Sequence, residues 1–234
     1  MVRERYWDSK FFGRKIGDLI LRPARNSSSI THDIRLARAA GFAYLSCTVE
    51  RFDVALTQAL HANGFYLADI GIIWQTLVKK TPSRRRSAHT PRRAEEQDIP
   101  GLRKMAGTLF THSRFYQDPF FTRTEADRLF RQWTENAVLG KAANMVLHVP
   151  DVGFIACKLS GRKSGEIPLV GVTRKNQGKG IGALLVSAAL AWFQKNGVET
   201  VTVRTQLRNT EAMNFYRSLG FSIKSHDMVF GKKL

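Results

Sequence analysis

The sequence predicts an α/β protein built from two parts that are joined by a basic linker. Three observations support this prediction. An apolar strand, residues 169–172, runs into a basic glycine-rich turn and then directly into an apolar helix, residues 183–192. The order strand, helix, strand occurs twice, in residues 42–78 and again in residues 198–221. Between the two copies, the segment 81–93 carries five arginines and two prolines, a composition typical of a linker.

Length and composition indicate a globular protein. The chain has 234 residues, of which 43% are hydrophobic and 24% charged, so it is long enough for one large or two small domains. We expect no membrane insertion and a cytoplasmic location, because no apolar run approaches the ~18 residues of a membrane span and no signal peptide is apparent. Cys47 and Cys157 lie in apolar runs without metal-ligand spacing, which predicts buried reduced thiols and no metal.

The net charge of +18 predicts attraction for polyanions. The candidates are nucleic acid, anionic lipid and small molecules that carry a diphosphate. The densest basic cluster, residues 84–86 with Arg92 and Arg93, lies in the linker and lacks the interleaved aromatic residues of a single-strand binder. Nucleic acid is therefore disfavoured as a partner.

The first 80 residues predict a small α/β domain. We expect strands over 16–21 and 42–49, a pair of strands within 65–78, and helices over 31–40 and 53–62. Thr31 and Asp33 are candidate caps of the first helix. A shift of 156 residues places Gly41 on Gly197, Asp53 on Asn209 and Gly64 on Gly220 without a gap. We therefore predict that residues 1–80 repeat the last part of the chain in a degenerate form, with Leu60 at the position of Tyr216 and without a cofactor.

Residues 88–234 predict a second, larger domain. It begins with a strand at 88–94 and a helix that starts near Asp98, with this carboxylate as cap and Pro100 in the first turn. A helix over 124–139 and strands over 145–149, 152–159 and 166–172 follow. Pro168 and Gly171 do not suit a central strand, so we expect a bulge in the last of these strands.

The turn after this strand predicts an anion-binding site. A strand that ends at a glycine-rich turn and continues as a helix leaves several backbone N–H groups unpaired, and the helix dipole favours a negative charge there. A P-loop is excluded, because Gly178-Lys179 is followed by glycine instead of Ser or Thr. A dinucleotide fingerprint lacks its acid, because the next strand, residues 198–205, has its one acid at the start.

Gln177, Gly180 and Gly182, with Asn209, Ala212, Tyr216 and Leu219-Gly220-Phe221 further on, resemble the GNAT acetyltransferase superfamily. The resemblance implies a GNAT fold with a mixed central sheet in residues 88–234, and it makes residues 1–80 a degenerate half GNAT fold. It also implies N-acetyl transfer from acetyl-CoA by direct attack of an amine on the thioester. Tyr216 is then the general acid and Glu166 the candidate base. The implied cofactor contacts are Val170, Val172, Gln177, Gly178, Lys179, Gly180, Ile181, Gly182, Ala183 and Asn209.

Three short segments of the sequence point to one group of enzymes within this superfamily. Residues 7–13, 113–115 and 133–138 look like those of the TDP-fucosamine acetyltransferases within the superfamily. This likeness implies a nucleotide diphosphate amino sugar as the acceptor, with Arg114 and Tyr116 as substrate contacts, and it allows a homodimer. Arg114 suits the task because a guanidinium can bind phosphate or carboxylate with two donors.

Two alternatives stay open at this point. The acceptor could be a protein N-terminus, a lysine or another small-molecule amine, although a cationic polyamine is disfavoured in a basic protein. A second alternative is a GNAT-shaped module that binds CoA or RNA without catalysis. Salt-sensitive RNA binding through the basic linker would favour that module.

Overall fold

The computed structural model describes residues 1–21, 27–78 and 89–234. The arginines at 84–86 and most of the predicted linker lie outside the described residues. The first part of the chain forms β1 (Val2–Glu4), α1 (Tyr6–Phe12), β2 (Ile16–Leu19), α2 (Ser27–Ala39), β3 (Tyr44–Val49), α3 (Val54–Ala62) and β4 (Tyr66–Leu77).

The second part begins with β5 (Arg92–Arg93), α4 (Ile99–Leu109), α5 (Arg114–Gln117) and α6 (Arg123–Val138). Then come β6 (Met145–Val149), β7 (Gly153–Leu159), β8 (Ser164–Val172), α7 (Ile181–Lys195), β9 (Thr200–Gln206), α8 (Thr210–Ser218) and β10 (Ser222–Lys233). Short 3₁₀ turns at Glu96–Asp98 and Arg174–Asn176 precede α4 and α7.

The described strands form one mixed sheet in the order β1-β2-β3-β10-β4-β9-β8-β7-β6-β5. Two neighbouring pairs, β2 with β3 and β8 with β9, are parallel. The other pairs are antiparallel. The predicted α/β class with a mixed sheet is confirmed.

Side chains alternate between two helical layers that cover the sheet. On β7, Ile155 packs in the core beneath α7, and its neighbour Phe154 packs on the other face with α4 and α6. On β4, Ile72 belongs to the core beneath α7 and Ile70 packs with the core of α2 and α3, so these helices share one face. The other face carries α4 and α6, and Phe12 of α1 and Phe115 of α5 pack there with α6.

Several predicted boundaries are wrong. Helix α2 begins at Ser27, so Thr31 and Asp33 lie within the helix instead of capping it. The expected pair of strands within 65–78 is one strand, β4, because the equally long β10 pairs along it. Of the expected first strand of the second part, residue 88 lies outside the described residues, and among residues 89–94 the strand is limited to Arg92–Arg93. The Asp98 carboxylate does not cap α4; it closes a capping box with Glu95 around the 3₁₀ turn instead.

The internal repeat is confirmed for its last three elements. A shift of 156 residues places β3 on β9, α3 on α8, and β4 on β10. The helix caps also match: Asp53 accepts from Leu56 N and Asn209 accepts from Ala212 N, both at 3.0 Å. The turn before α2 includes residues outside the described ranges, so the expectation that this copy binds no cofactor stays a prediction.

The two copies exchange their last strands. β10 of the second copy pairs with β3, and β4 of the first copy pairs with β9. At the centre, Gly71 pairs with Asp227, its own counterpart in the repeat, which defines an approximate two-fold axis. The division into domains 1–80 and 88–234 with a linker at 81–93 stays a prediction, and the sheet is continuous across it.

No helix in the described part of the chain is both long and apolar enough to cross a membrane. Within the same residues, no group of three or more His, Cys, Asp or Glu side chains is arranged to hold a metal ion.

Candidate active site

β8 and β9 lie side by side only at their first residues. They pair from Ser164 with Thr200 to Ile167 with Val203. Beyond this point β8 continues along β7 to Val172, while β9 continues along β4 to Gln206. The described sheet therefore opens into a cleft between β8 and β9, and backbone polar groups of both strands line its edges.

The bulge expected in β8 is confirmed at Pro168. Leu169 pairs with Ala156 and Glu166 with Lys158, so β8 has two residues opposite the single residue Cys157. A proline fits here because it has no N–H to give to a ladder. Glycine suits position 171 for a different reason, because a Cβ there would lie 2.8 Å from Leu109 Cδ1 on α4. The bulge therefore coincides with the point at which β8 leaves β9.

The turn between β8 and α7 leaves the N-terminus of this helix open. Gly178 and Gly180 have φ angles of 74° and 77°, and a Cβ on either would meet no atom within 4 Å. The hydrogen bond from Leu184 N to Gly180 O is the first one of the helix. The N–H groups of residues 181–183 come before it and therefore have no carbonyl partner within the helix. No side chain in the described ranges caps this end. Free amides and the positive end of the helix dipole together suit an anion.

The remaining predicted cofactor contacts surround this turn in different ways. The Gln177 side chain donates from Nε2 to Val172 O at 3.1 Å, which ties the turn to the end of β8. Lys179 is exposed, whereas the Ile181 side chain is buried in the core beneath α7. Only the backbone N–H of Ile181 can therefore face an anion. Val170 is half-buried in the stretch of β8 that has left β9.

Helix α8 packs against the first turn of α7. A Cβ on Gly182 would lie 3.1 Å from the Phe215 ring, so the glycine permits this close approach. The Asn209 side chain, predicted to contact the cofactor, accepts from Ala212 N with its Oδ1 and caps α8. Its Nδ2 donor is not needed for that cap.

Tyr216 lies in the core beneath α7, with only 4% of its surface exposed. Its ring is 6.3 Å from that of Trp74 and 5.5 Å from that of Phe221. Burial raises the pKa of the Tyr216 phenol above its usual value of 10. The residue therefore keeps its proton at neutral pH.

Glu166 lies on β8 one residue before Ile167, where the paired stretch with β9 ends. It is half-buried, and its cross-strand neighbours are Lys158 on β7 and Thr202 on β9. The structure thus brings a carboxylate to the start of the cleft. Its role as a base stays a prediction.

A cavity of about 160 Å³, here called the arginine cavity, lies on the face of the sheet that carries α1 and α5. It is lined by Arg5, Thr48, Arg114, Arg204, Asp227 and Val229. Arg204 directly follows Val203, the last residue of β9 that pairs with β8. The cavity therefore adjoins the cleft on the face opposite α7.

Arg114, which lines this cavity, has an unused hydrogen-bond donor. Its Nη1 nitrogen is buried and has no hydrogen-bond partner among the described residues. Its guanidinium carbon lies 4.6 Å from the centre of the Phe115 ring. Burial lowers the pKa of this guanidinium, although an arginine stays charged in a protein. A buried unpaired donor is costly, so the position suits a ligand that accepts a hydrogen bond.

Tyr116, the other predicted substrate contact, is engaged elsewhere. Its hydroxyl donates to Asp127 Oδ1 at 2.6 Å, and its ring stacks on Phe130. It is not among the residues that line the arginine cavity. The predicted substrate role of Tyr116 gains no support from these contacts.

Sequence reasoning missed Arg5 and Arg204. Arg204 donates from Nε to Asp227 and from Nη2 to Asp69, at 2.9 and 3.0 Å. A Cβ on Gly71 would lie 2.2 Å from the Arg204 guanidinium, so the glycine makes room for this side chain. A glycine inside an apolar strand was a signal for such a close approach. Arg5 offered no comparable signal.

A comparison with protein families finds a match in the second part of the chain. Residues 109–221 match the model of the Acetyltransferase (GNAT) family. The chain therefore contains a GNAT domain at residues 109–221, and this match supports an N-acetyltransferase activity.

Two relatives are similar over different lengths. The dTDP-fucosamine acetyltransferase of Escherichia coli O6:H1 is 28% identical over 224 residues, which cover 94% of this chain and 92% of that protein. The spore coat polysaccharide biosynthesis protein SpsD of Bacillus subtilis (strain 168) is 32% identical over 130 residues, 55% of this chain and 45% of that protein. The match thus spans nearly all of the first relative and less than half of the second.

A solved structure with a similar fold is the GCN5-related N-acetyltransferase from Sphaerobacter thermophilus. The TM-score is 0.69 at 15% identity, and the match covers 99% of this chain and 75% of that one. At this identity the similarity shows the fold alone.

Proposed function

We propose that this N-acetyltransferase transfers the acetyl group of acetyl-CoA to the amino group of a nucleotide-linked amino sugar. The observation that carries the donor half of the proposal is the cleft between β8 and β9, because the turn that follows β8 leads to the open N-terminus of α7. The acceptor half is supported by the similarity to a dTDP-fucosamine acetyltransferase over 94% of the chain. The proposal keeps the cytoplasmic location expected from the sequence.

The residues around the turn fit the diphosphate of a coenzyme. The amides of residues 178–183 would hold it, because Gly178 and Gly180 leave open space and α7 has no side-chain cap among the described residues. Lys179 would add a positive charge from the exposed side of the turn. Acetyl-CoA, when bound, would supply an activated acetyl thioester.

The edge of β8 would stabilise developing charge. Val170 and Val172 belong to the stretch of this strand that no longer pairs with β9. A backbone N–H aimed into the cleft can donate to a carbonyl oxygen that gains negative charge, and such a donor is already oriented before the reaction.

Two side chains would move protons. Glu166 would take a proton from the amine, which must be neutral to attack a thioester. Tyr216 would give its proton to the leaving thiolate, a transfer that its burial opposes because burial raises the pKa of the phenol. Arg114 would contact the acceptor through its unpaired Nη1.

The Tyr216→Phe variant tests the assignment of the acid. We expect kcat to fall about a hundredfold, because a general acid contributes roughly 10²–10⁴ to the rate. The dissociation constant of acetyl-CoA should stay within about twofold, since the phenylalanine ring still fills the space beside Trp74. Stopped-flow or steady-state thiol release gives kcat, and calorimetry gives the binding constant.

The acceptor class is tested with the native protein. Thiol release should be fastest with nucleotide-linked amino sugars, compared with free amino sugars, peptide N-termini, lysine and polyamines. Equal or faster turnover of a peptide or a free amine would contradict the proposed acceptor. Unchanged kcat in Tyr216→Phe would contradict only the role of the tyrosine.

A further inference from the structure

A second, larger cavity adjoins the arginine cavity on the same side of the molecule. It has a volume of about 500 Å³ and is lined by residues 3–8, Asp18 and Trp133. Arg5 lines both cavities. The larger cavity has the volume of an ordinary ligand site, roughly 300–1,000 Å³, whereas the smaller one is below that range. The two cavities together therefore suit one elongated ligand whose ends differ in size.

Aromatic side chains line the larger cavity. Tyr6 is 77% exposed and Trp7 is 44% exposed, which is unusual for rings of this size. The ring of Trp7 stacks on that of Phe11 at 5.1 Å and 8°, and the guanidinium of Arg128 lies over Phe11. Trp133 flanks Trp7 at 6.4 Å. Trp7 is thus held firmly by its neighbours while nearly half of its surface is free to stack with another planar ring.

Arg5 connects the aromatic cavity with the arginine cavity. Its Nε contacts Asp8 Oδ2 at 2.5 Å, and its Nη1 lies 3.7 Å from Asp18 Oδ1. A guanidinium has five N–H donors, so these two carboxylates orient Arg5 without using all of its donors. Arg3, whose side chain is 68% exposed, lies at the rim of the same cavity and 3.7 Å from Asp18.

The charges across the two cavities are balanced. Arg3, Arg5, Arg114 and Arg204 face the carboxylates of Glu4, Asp8, Asp18 and Asp227. A balanced site does not attract every anion, and it favours a ligand that places oxygen acceptors at the arginines. Arg114, whose Nη1 has no partner among the described residues, lines the smaller of the two cavities.

We propose that the two cavities bind the acceptor in an extended form, with the nucleobase stacked on Trp7, the phosphates at Arg5 and the sugar ring in the arginine cavity. This inference rests on the proposed function and assigns its acceptor site to the N-terminal segment. The sugar end then lies beside Arg204, where β9 parts from β8 and the cleft begins. The order of groups along the ligand matches the order of the cavities.

Binding of a nucleoside diphosphate to the protein without acetyl-CoA tests this inference directly. Thymidine diphosphate serves as the probe, and calorimetry or tryptophan fluorescence gives the dissociation constant. We expect Trp7→Ala to weaken binding about tenfold or more, the effect of losing one base-stacking contact. Trp7→Leu, which keeps an apolar contact with Phe11, should show a similar loss if the ring face is what matters.

Phe52→Ala is the matched control, because Phe52 is also an exposed ring, at 64%, and lines neither cavity. This variant should bind the probe like the native protein. In turnover, Trp7→Leu should raise KM for a nucleotide-linked amino sugar about tenfold and leave KM for acetyl-CoA unchanged. KM for the same amino sugar without its nucleotide should not respond to Trp7→Leu.

The outcomes separate this inference from the proposed function. Native affinity for the probe in both Trp7 variants would overturn the inference, even if nucleotide amino sugars are good substrates. Tenfold weaker binding in the variants, with no turnover of any nucleotide amino sugar, would support the stacking site and contradict the proposed function. An absence of both binding and turnover in the native protein would contradict both.

Discussion

At the scale of single residues, Asp98 links the start of the second part to the sheet. Its carboxylate accepts from both terminal nitrogens of Arg92 at 2.8 and 2.6 Å and from Glu95 N at 2.9 Å. His148 Nε2 on β6 lies 3.3 Å away and is buried. Hydrogen bonding from Arg92 lowers the pKa of Asp98 to about 2, and burial lowers the pKa of His148 below 6.5.

Both shifts predict a loss of stability in acid. The unfolded chain binds a proton on His148 more readily than the folded protein does, so stability falls as the pH drops below about 6.5. Asp98 adds a second loss as the pH falls from about 3.8 toward 2. His148→Gln should therefore reduce the fall in unfolding free energy between pH 7 and pH 5.

Urea unfolding at a series of pH values measures this dependence. The quantity compared is the slope of the unfolding free energy against pH, because the variant can differ from the native protein in absolute stability. His112→Gln is the control, because His112 is exposed and should leave the slope unchanged. A native slope in His148→Gln would show that His148 is not the group that titrates.

At the scale of elements, the capping box of α6 shows how local sequence fixes a helix. Thr122 Oγ1 accepts from Glu125 N at 3.2 Å, and Glu125 accepts from Thr122 N at 2.8 Å. Glu125 also pairs with Arg14, which lies over the Phe120 ring. This cap therefore joins α6 to the segment between α1 and β2.

Thr122→Ala should lower the free energy of unfolding by about 1 kcal/mol, the usual effect of losing an N-cap oxygen. Urea denaturation monitored by circular dichroism measures the change. Thr124→Ala, two residues further along the same helix and also exposed, should change stability by less than about 0.5 kcal/mol. Equal losses of unfolding free energy in the two variants would show that the Thr122 cap does not stabilise α6 more than an ordinary exposed threonine does.

At the scale of the whole molecule, the exchange of strands links the two copies of the repeat. Ile72 and Trp74 on β4 complete the core beneath α7 that contains Tyr216. In return, Met228 and Phe230 on β10 belong to the core of α2 and α3. Each half therefore supplies buried side chains to the core of the other.

A chain limited to residues 81–234 should not fold cooperatively. It would lack β4, the strand that pairs with both β9 and β10, and it would expose the apolar side chains that Trp74 covers. Thermal unfolding followed by near-ultraviolet circular dichroism should show no sharp transition, unlike the full chain. A cooperative transition that rises in temperature with acetyl-CoA would support the predicted boundary at residues 81–93.

The sequence by itself determined the elements and the glycine-rich turn of this protein. Alternating apolar residues and the spacing of Gln177, Gly180 and Gly182 are local features, so they were predictable without a structure. The caps at Asp53 and Asn209 were not predicted, although they are local features too. The repeat was also predictable, because it appears when the sequence is compared with itself at a shift of 156 residues.

Only the tertiary structure decided which strands pair and which side chains meet. The position of β10 between β3 and β4 depends on contacts between residues about 150 or more positions apart, and no local pattern specifies such contacts. Arg5, Arg114 and Arg204 are far apart in sequence and come together because α1, α5 and β9 pack around one cavity. The glycine-rich turn was predictable because it is continuous in the chain, whereas the acceptor cavities are built from segments that only folding brings together.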